Sequence, residues 1–148
     1  MFSYLLPAHR IILLPDSPGF SMKTVLLIED ESTFQMIGKI LLRTVGLPSE
    51  NFYSAQTGKE AIELLDKLHA EGKPLPDLIF LDVFMPIMDG FGFLEEYTKR
   101  TYPKDHVKII ALTSSHDPRD MERMKQYGVI EYMTKPLEER KIRIELGL

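Results

Sequence analysis

Residues 76–90, PDLIFLDVFMPIMDG, constrain the fold more than any other part of the chain. Leu78, Ile79, Phe80 and Leu81 form an apolar run with no polar alternation, the pattern of a strand buried on both faces. The run ends in Asp82. An ionised carboxylate costs free energy inside a core, so this acid belongs at the mouth of a sheet, where solvent or a cation reaches it. Pro86 stops any helix immediately behind it, and Asp89-Gly90 supplies a turn before the next apolar segment.

The same unit recurs along the chain. Residues 25–28, VLLI, are a second continuous apolar run, and they too finish in acid, Glu29-Asp30-Glu31. Ser32 and Gln35 have capping-box spacing, followed by Phe34, Ile37, Leu41 and Val45 at helical intervals until Gly46. Phe52-Tyr53 is a short strand candidate. Thr57 and Glu60 then form a second capping box ahead of the stripe Ala61, Leu64, Leu65 and Leu68, which Gly72 ends. After the central strand, Phe91, Leu94 and Tyr97 mark a helix over about 90–100.

Residues 107–112 make a further buried-type strand, closed by Thr113-Ser114-Ser115. Asp117 as N-cap and Pro118 at the first helical position start a helix that carries Met121 and Met124 and stops at Gly128. Residues 129–133 are a fifth strand, followed by Thr134-Lys135-Pro136. The tail from Leu137 fits a helix through Leu137, Lys141, Ile144 and Leu148, or a strand through Ile142, Ile144, Leu146 and Leu148; a short helix is expected. Strands alternating with helices through short connections predict an α/β fold, a doubly wound five-stranded parallel sheet with helices on both faces.

Composition narrows the function classes. The 148 residues hold 18 basic and 22 acidic side chains, a net charge of −4 without a basic block, which offers nothing to nucleic acid or to an anionic membrane. There is no cysteine, hence no disulfide framework and no thiolate metal site, as suits a reducing cytoplasm. Apolar runs fall far short of the roughly 20 residues needed to span a bilayer. Residues 1–21 contain two apolar pieces interrupted by His9 and Arg10 and lack a signal-peptide pattern. They are expected either as an appendage outside the fold, ahead of a natural start at Met22, or as a segment packed on the domain or on a partner. Residues 22–148 are expected as one domain with no output domain.

In an open parallel sheet, ligands bind outside the carboxyl ends of the strands, and there the polar exceptions collect. Glu29 and Asp30 follow the first strand, Asp82 ends the third, Thr113 the fourth, and Lys135 follows the fifth. Three converging carboxylates repel one another unless a cation intervenes. Oxygen donors without His or Cys select a hard dication, Mg2+ or Mn2+, with coordination positions left for water and a phosphoryl oxygen. With Lys135 and Thr113 aimed at the same place, Asp82 is a candidate nucleophile in phosphoryl transfer.

The four segments LLIEDES, LIFLDVFMPIMDG, IIALTSS and EYMTKPL, in that order, resemble the receiver domain of two-component response regulators, a family that includes the single-domain chemotaxis protein CheY. The resemblance covers about residues 23–137. It implies a flavodoxin-like (CheY-like) sheet with strand order 2-1-3-4-5. It also implies Asp82 as phosphoacceptor, Glu29 and Asp30 as the Mg2+-holding pair, and a backbone carbonyl from Phe84 to the metal. Thr113 becomes the switch hydroxyl, Tyr132 the switch aromatic and Lys135 the phosphate-pairing lysine. A cis peptide before Pro136 is common in the family.

The implied donor is a phosphohistidine on a histidine kinase or phosphotransfer protein, and the implied reader a separate target protein that binds the face of the fourth helix, fifth strand and fifth helix. Such a protein is a regulatory phosphoacceptor, a monomer or weak dimer, that catalyses only its own phosphotransfer and dephosphorylation. Three departures stand out: the expected closing helix is short, residues 1–21 have no counterpart in the family, and Phe84 is large and apolar where many relatives are polar. The rivals on this topology are a phosphorylation-independent pseudo-receiver, an Asp-nucleophile phosphatase and a flavodoxin-like cofactor carrier. The phosphatase wants a second Asp two residues after the nucleophile, where this chain has Phe84, and the cofactor carrier needs a first loop that holds a phosphate, which Glu29-Asp30-Glu31 would repel. His116 reads as a surface residue, since four scattered histidines have no metal spacing.

Overall fold

The computed structural model describes residues 3–5, 11–13, 23–85, 87–114, 117–129 and 131–148. Expectations that rest on Pro86, Ser115, His116, Ile130 and most of residues 1–21 lie outside the described residues. Two short strands, β1 (Ser3–Leu5) and β2 (Ile11–Leu13), pair antiparallel with Ser3 opposite Leu13. Their two-stranded sheet is separate from the main one.

The main sheet is made of β3 (Val25–Ile28), β4 (Phe52–Ala55), β5 (Leu78–Asp82), β6 (Lys108–Thr113) and β7 (Glu131–Thr134). All neighbours are parallel, in the order β4-β3-β5-β6-β7, which is 2-1-3-4-5 counted within this sheet. The helices are α1 (Ser32–Thr44), α2 (Gly58–Ala70), α3 (Gly90–Lys99), α4 (Pro118–Gln126) and α5 (Glu139–Leu146). Among the described residues, no helix is long and apolar enough to cross a membrane.

The unbroken apolar strands are explained by two cores. Leu26, Ile28, Ile79, Leu81 and Ala111 face one side and pack with Ala61 and Leu65 of α2, Phe93 and Leu94 of α3 and Met124 of α4. Val25, Leu27, Leu78, Phe80, Ile110 and Leu112 face the other, against Leu42 of α1 and Ile142 of α5. Each large side chain removed from water in this way contributes about 2 kcal/mol. With β5 buried along its whole length, a polar residue there needs a special reason.

Local signals held to different degrees. Thr57 Oγ1 accepts from Glu60 N at 3.1 Å, while Glu60 returns its carboxylate to Gln56 N at 2.8 Å. Asp117 caps α4 by accepting from Arg119 N, with Pro118 at the first position. Asp89 does more than turn the chain: its carboxylate accepts from Gly92 N at 2.9 Å and caps α3. Gly90 is required beside it, because a Cβ there would lie 2.8 Å from the Asp82 carbonyl oxygen.

The Ser32–Gln35 capping box does not form. Glu31 is the N-cap of α1, with no side-chain cap bond, and Gln35 is buried. The most buried line of α1 is Gln35, Gly38 and Leu42, one residue round from Phe34, Ile37 and Leu41. Gly38 is the cause: a Cβ there would come 2.6 Å from Leu27 Cδ2, so its missing side chain brings this face of the helix onto the sheet. The tail is the helix α5, with Ile142 buried, Ile144 exposed and Gly147 at φ 75° as left-handed cap.

Candidate functional site

Register brings the site together. Ile28 lies opposite Leu81, so Glu29, just past β3, and Asp82, the last residue of β5, emerge side by side. Asp82 is opposite Leu112, and Thr113 is opposite Thr134, which places Thr113 and Lys135 in the next row at the same edge. Lys135 N donates to the Thr113 carbonyl at 3.1 Å and ties this row to the sheet. The Lys135-Pro136 peptide is cis.

Lys135 Nζ lies 2.8 Å from Glu29 Oε2, 3.1 Å from Glu29 Oε1 and 3.1 Å from Asp82 Oδ2. All three groups are out of solvent, with Glu29 1% and Asp82 3% exposed and the Lys135 side chain 8% exposed. Glu29 Oε1 also accepts from Glu31 N at 3.1 Å, and Asp82 Oδ1 from Phe84 N at 3.3 Å. Glu29 Oε2 and Asp82 Oδ2 receive no well-directed hydrogen bond among the described residues; the ammonium is their counter-charge.

Carboxylate oxygens of Glu29, Asp30 and Asp82 all lie within 4.8 Å of one another. Three acids against one lysine leave local negative charge in excess. Burial pushes the Asp82 carboxyl up to about 7, the charge of Glu29 adds to this, and Lys135 pulls against it. For Lys135, burial alone would lower the pKa, but Glu29 and Asp82 outweigh burial and hold it above the ordinary value. Surplus negative charge, oxygen-only donors and two buried oxygens without directed donors fit a hard divalent cation.

The remaining expected residues fall in different places. Thr113 is buried at the end of β6. Phe84 reaches the site through its backbone N–H, while its side chain is 54% exposed. Tyr132 stands apart on β7. Its hydroxyl lies 2.7 Å from the Met121 carbonyl and 3.0 Å from the Val129 carbonyl, so it is held by the backbone of α4 and of the segment after it.

Two residues that the sequence marks only as a cap and as part of a helix stripe belong to the site. Gln35 directs its amide at the carbonyls of Glu29, 3.3 Å, and Ala55, 3.4 Å, tying α1 to the ends of β3 and β4. Phe34 sets its ring 4.8 Å from Lys135 Nζ. The capping-box spacing masked Gln35, and Phe34 reads as an ordinary member of the apolar stripe of α1. Beyond Asp82, the loop is pinned by Gly58 N donating to the Met88 carbonyl and carries exposed Ile87 at φ 69°. A β-branched residue at positive φ stores strain in this loop.

The response regulator receiver domain profile matches residues 25–146, most of the chain and every strand and helix of the main sheet. The chain belongs to this family of regulatory signalling domains. It is 36% identical over 112 residues to the sensor histidine kinase CheAY of Helicobacter pylori, covering 76% of this chain and 13% of that protein. It is 28% identical over 130 residues to the probable C4-dicarboxylate response regulator DctR of Halalkalibacterium halodurans, covering 88% and 46%. The chain therefore spans less than half the length of these two curated relatives. Among solved structures, the chemotaxis protein CheY4 of Vibrio cholerae superposes with a TM-score of 0.70 at 25% identity, covering 86% of this chain and 98% of that one. The receiver sheet with its 2-1-3-4-5 order is thus CheY-like.

Proposed function

We propose that this receiver is a phosphoacceptor switch of a two-component phosphorelay, with Asp82 accepting the phosphoryl group from a phosphohistidine of a histidine kinase or phosphotransfer protein. The observation that carries the reading is the buried cluster in which Lys135 bridges Glu29 and Asp82 at the carboxyl edge of the sheet. Residues 22–148 form the receiver unit in this reading, with residues 1–21 outside it.

In the transfer, a carboxylate oxygen of Asp82 forms the new O–P bond as the N–P bond of the phosphohistidine breaks, and the imidazole nitrogen leaves with the electron pair and takes up a proton. Glu29, Asp30, Asp82 and the Phe84 carbonyl are the groups that would hold Mg2+. When bound, Mg2+ would offset the charge of the acids and of the transferring group. Lys135 sits where it can pair with a phosphoryl oxygen once the product stands on Asp82. Thr113 lies in the same row, and its recruitment to the phosphoryl group would shift the loop after β6. Tyr132 would then have to leave the carbonyls of Met121 and Val129, changing the face of α4, β7 and α5 that a separate target reads.

The test is backbone NMR during titration with beryllofluoride and Mg2+, since beryllofluoride on a carboxylate stands in for the aspartyl phosphate. Shifts are expected around Asp82, spreading to Thr113 and Tyr132, and absent in Asp82→Asn. No response in the folded parent overturns the proposal and leaves a phosphorylation-independent binding module.

A further inference from the structure

The contact between Phe34 and Lys135 is built on a fixed piece of backbone. Phe34 lies in the first turn of α1, half-buried, with its ring centroid 4.8 Å from Lys135 Nζ. The next residue, Gln35, is buried and hydrogen-bonded through its amide to the carbonyls of Glu29 and Ala55. Its backbone N donates to the Glu31 carbonyl at 2.9 Å. One turn further on, Gly38 seats the helix against Leu27. The ring thus projects from an anchored turn toward a buried ammonium.

Among the described residues, three groups hold that ammonium: Glu29, Asp82 and the Phe34 ring. The first two are also candidate ligands of a divalent cation. A dication among them takes up their charge and repels the ammonium, so their hold on Lys135 weakens when the site is loaded. The attraction of the ring arises from its quadrupole and is not used up by ligation of the metal.

We propose that Phe34 is a positioning residue for phosphoryl acceptance, its ring keeping the Lys135 ammonium beside Asp82 when the acids engage a divalent cation. The phosphoryl oxygens then meet a lysine whose side-chain freedom is already lost, and binding does not have to supply that ordering. This inference rests on the proposed function and adds a role for a residue outside the acid, hydroxyl and lysine set. Leucine at position 34 would fill similar space without a quadrupole, so electrostatics and packing are separable.

The experiment uses the full chain with Phe34 replaced by Leu, by Tyr, and by phenylalanines of increasing ring fluorination, which drain the quadrupole at nearly constant size. In chelator, the ε-methylene protons of Lys135 should show an upfield ring-current shift that survives in Phe34→Tyr and disappears in Phe34→Leu. With saturating Mg2+, beryllofluoride affinity should fall about three- to tenfold in Phe34→Leu and step down along the fluorinated series. Mg2+ affinity alone should change little. If the parent binds beryllofluoride and the series is flat, the positioning role is wrong and the proposed function stands. If the parent does not bind it, the proposed function fails and the inference fails with it.

Discussion

Two aspartates bracket the same strand, and their environments are opposite. Asp77 stands just before β5 and Asp82 is its last residue. Asp77 Oδ2 accepts from Thr24 N at 2.8 Å, and Oδ1 lies 3.7 Å from His106 Nε2. Its backbone N donates to the Thr24 carbonyl at 2.8 Å, and its carbonyl accepts from Lys108 N at 2.9 Å. This acid sits at a half-open edge and helps fix where β3, β5 and β6 begin. Asp82, at the other end, is buried beside another acid, its Oδ2 lacks a directed hydrogen bond among the described residues, and burial pushes its carboxyl up. An acid satisfied by the backbone is scaffold; an acid left in surplus charge is a site.

The largest effect that would break this contrast comes from removing the counter-charge. Lys135→Met leaves Glu29 and Asp82 facing each other, both buried. Removing one member of a buried ion pair costs about 3 kcal/mol, here at the low end because one of the acids can take up a proton. Urea melts at neutral pH in chelator should show that loss, and millimolar Mg2+ should stabilise the variant more than the parent. A loss below about 1 kcal/mol would mean that the cluster is far better solvated than its burial indicates.

The next effect is the pH dependence of Asp82 itself. Its folded pKa stands above the unfolded value of 3.8, at about 7, so the native state binds the extra proton in that window. Stability without metal should therefore be highest near the acid side of the window, fall as pH rises through it, and level off above about pH 7. Other carboxylates titrate as well, so the quantity to read is the difference between the parent and Asp82→Asn. The variant should lack this decline and should be the more stable by about 2 kcal/mol at pH 8 in chelator. A parent more stable than the variant at that pH would show that Asp82 is not held against its charge.

The sequence carried this contrast only in part. The runs VLLI, LIFL and IIAL were legible because a parallel strand buried on both faces leaves no polar alternation, and Glu29 and Asp82 stood out by ending such runs. Asp117, Pro118 and Thr57 were legible because capping is local chemistry. What depended on close approach was not legible. Gly38 rotates the buried line of α1 by one residue, which put Gln35 in the core and Phe34 beside Lys135, whereas the local spacing of Ser32 and Gln35 pointed to a cap. The partners of Tyr132 lie on α4 and on the segment after it, and nothing in the spacing of β7 names them. Residues 137–148 fit both periods, and the choice fell to helix through the burial of Leu137 and Ile142 in the second core.

The smallest effect is expected at Asp77. Asp77→Ala removes the acceptor of Thr24 N in a place water can reach, with the Asp77 side chain 34% exposed, so the loss should be about 1 kcal/mol. Asp77→Asn keeps an acceptor oxygen and gives up only the attraction to His106 when that ring is protonated, so it should lie closer to the parent than Asp77→Ala does. Neither variant should alter Mg2+ affinity or the beryllofluoride response, because β5 separates the two acids by roughly 16 Å at about 3.3 Å per residue. Urea melts and metal titrations of the same samples make the comparison direct. A severalfold change in Mg2+ affinity in Asp77→Ala would show that the start of the strand sets the position of its end, and the division into scaffold acid and site acid would then have to give way to one coupled element.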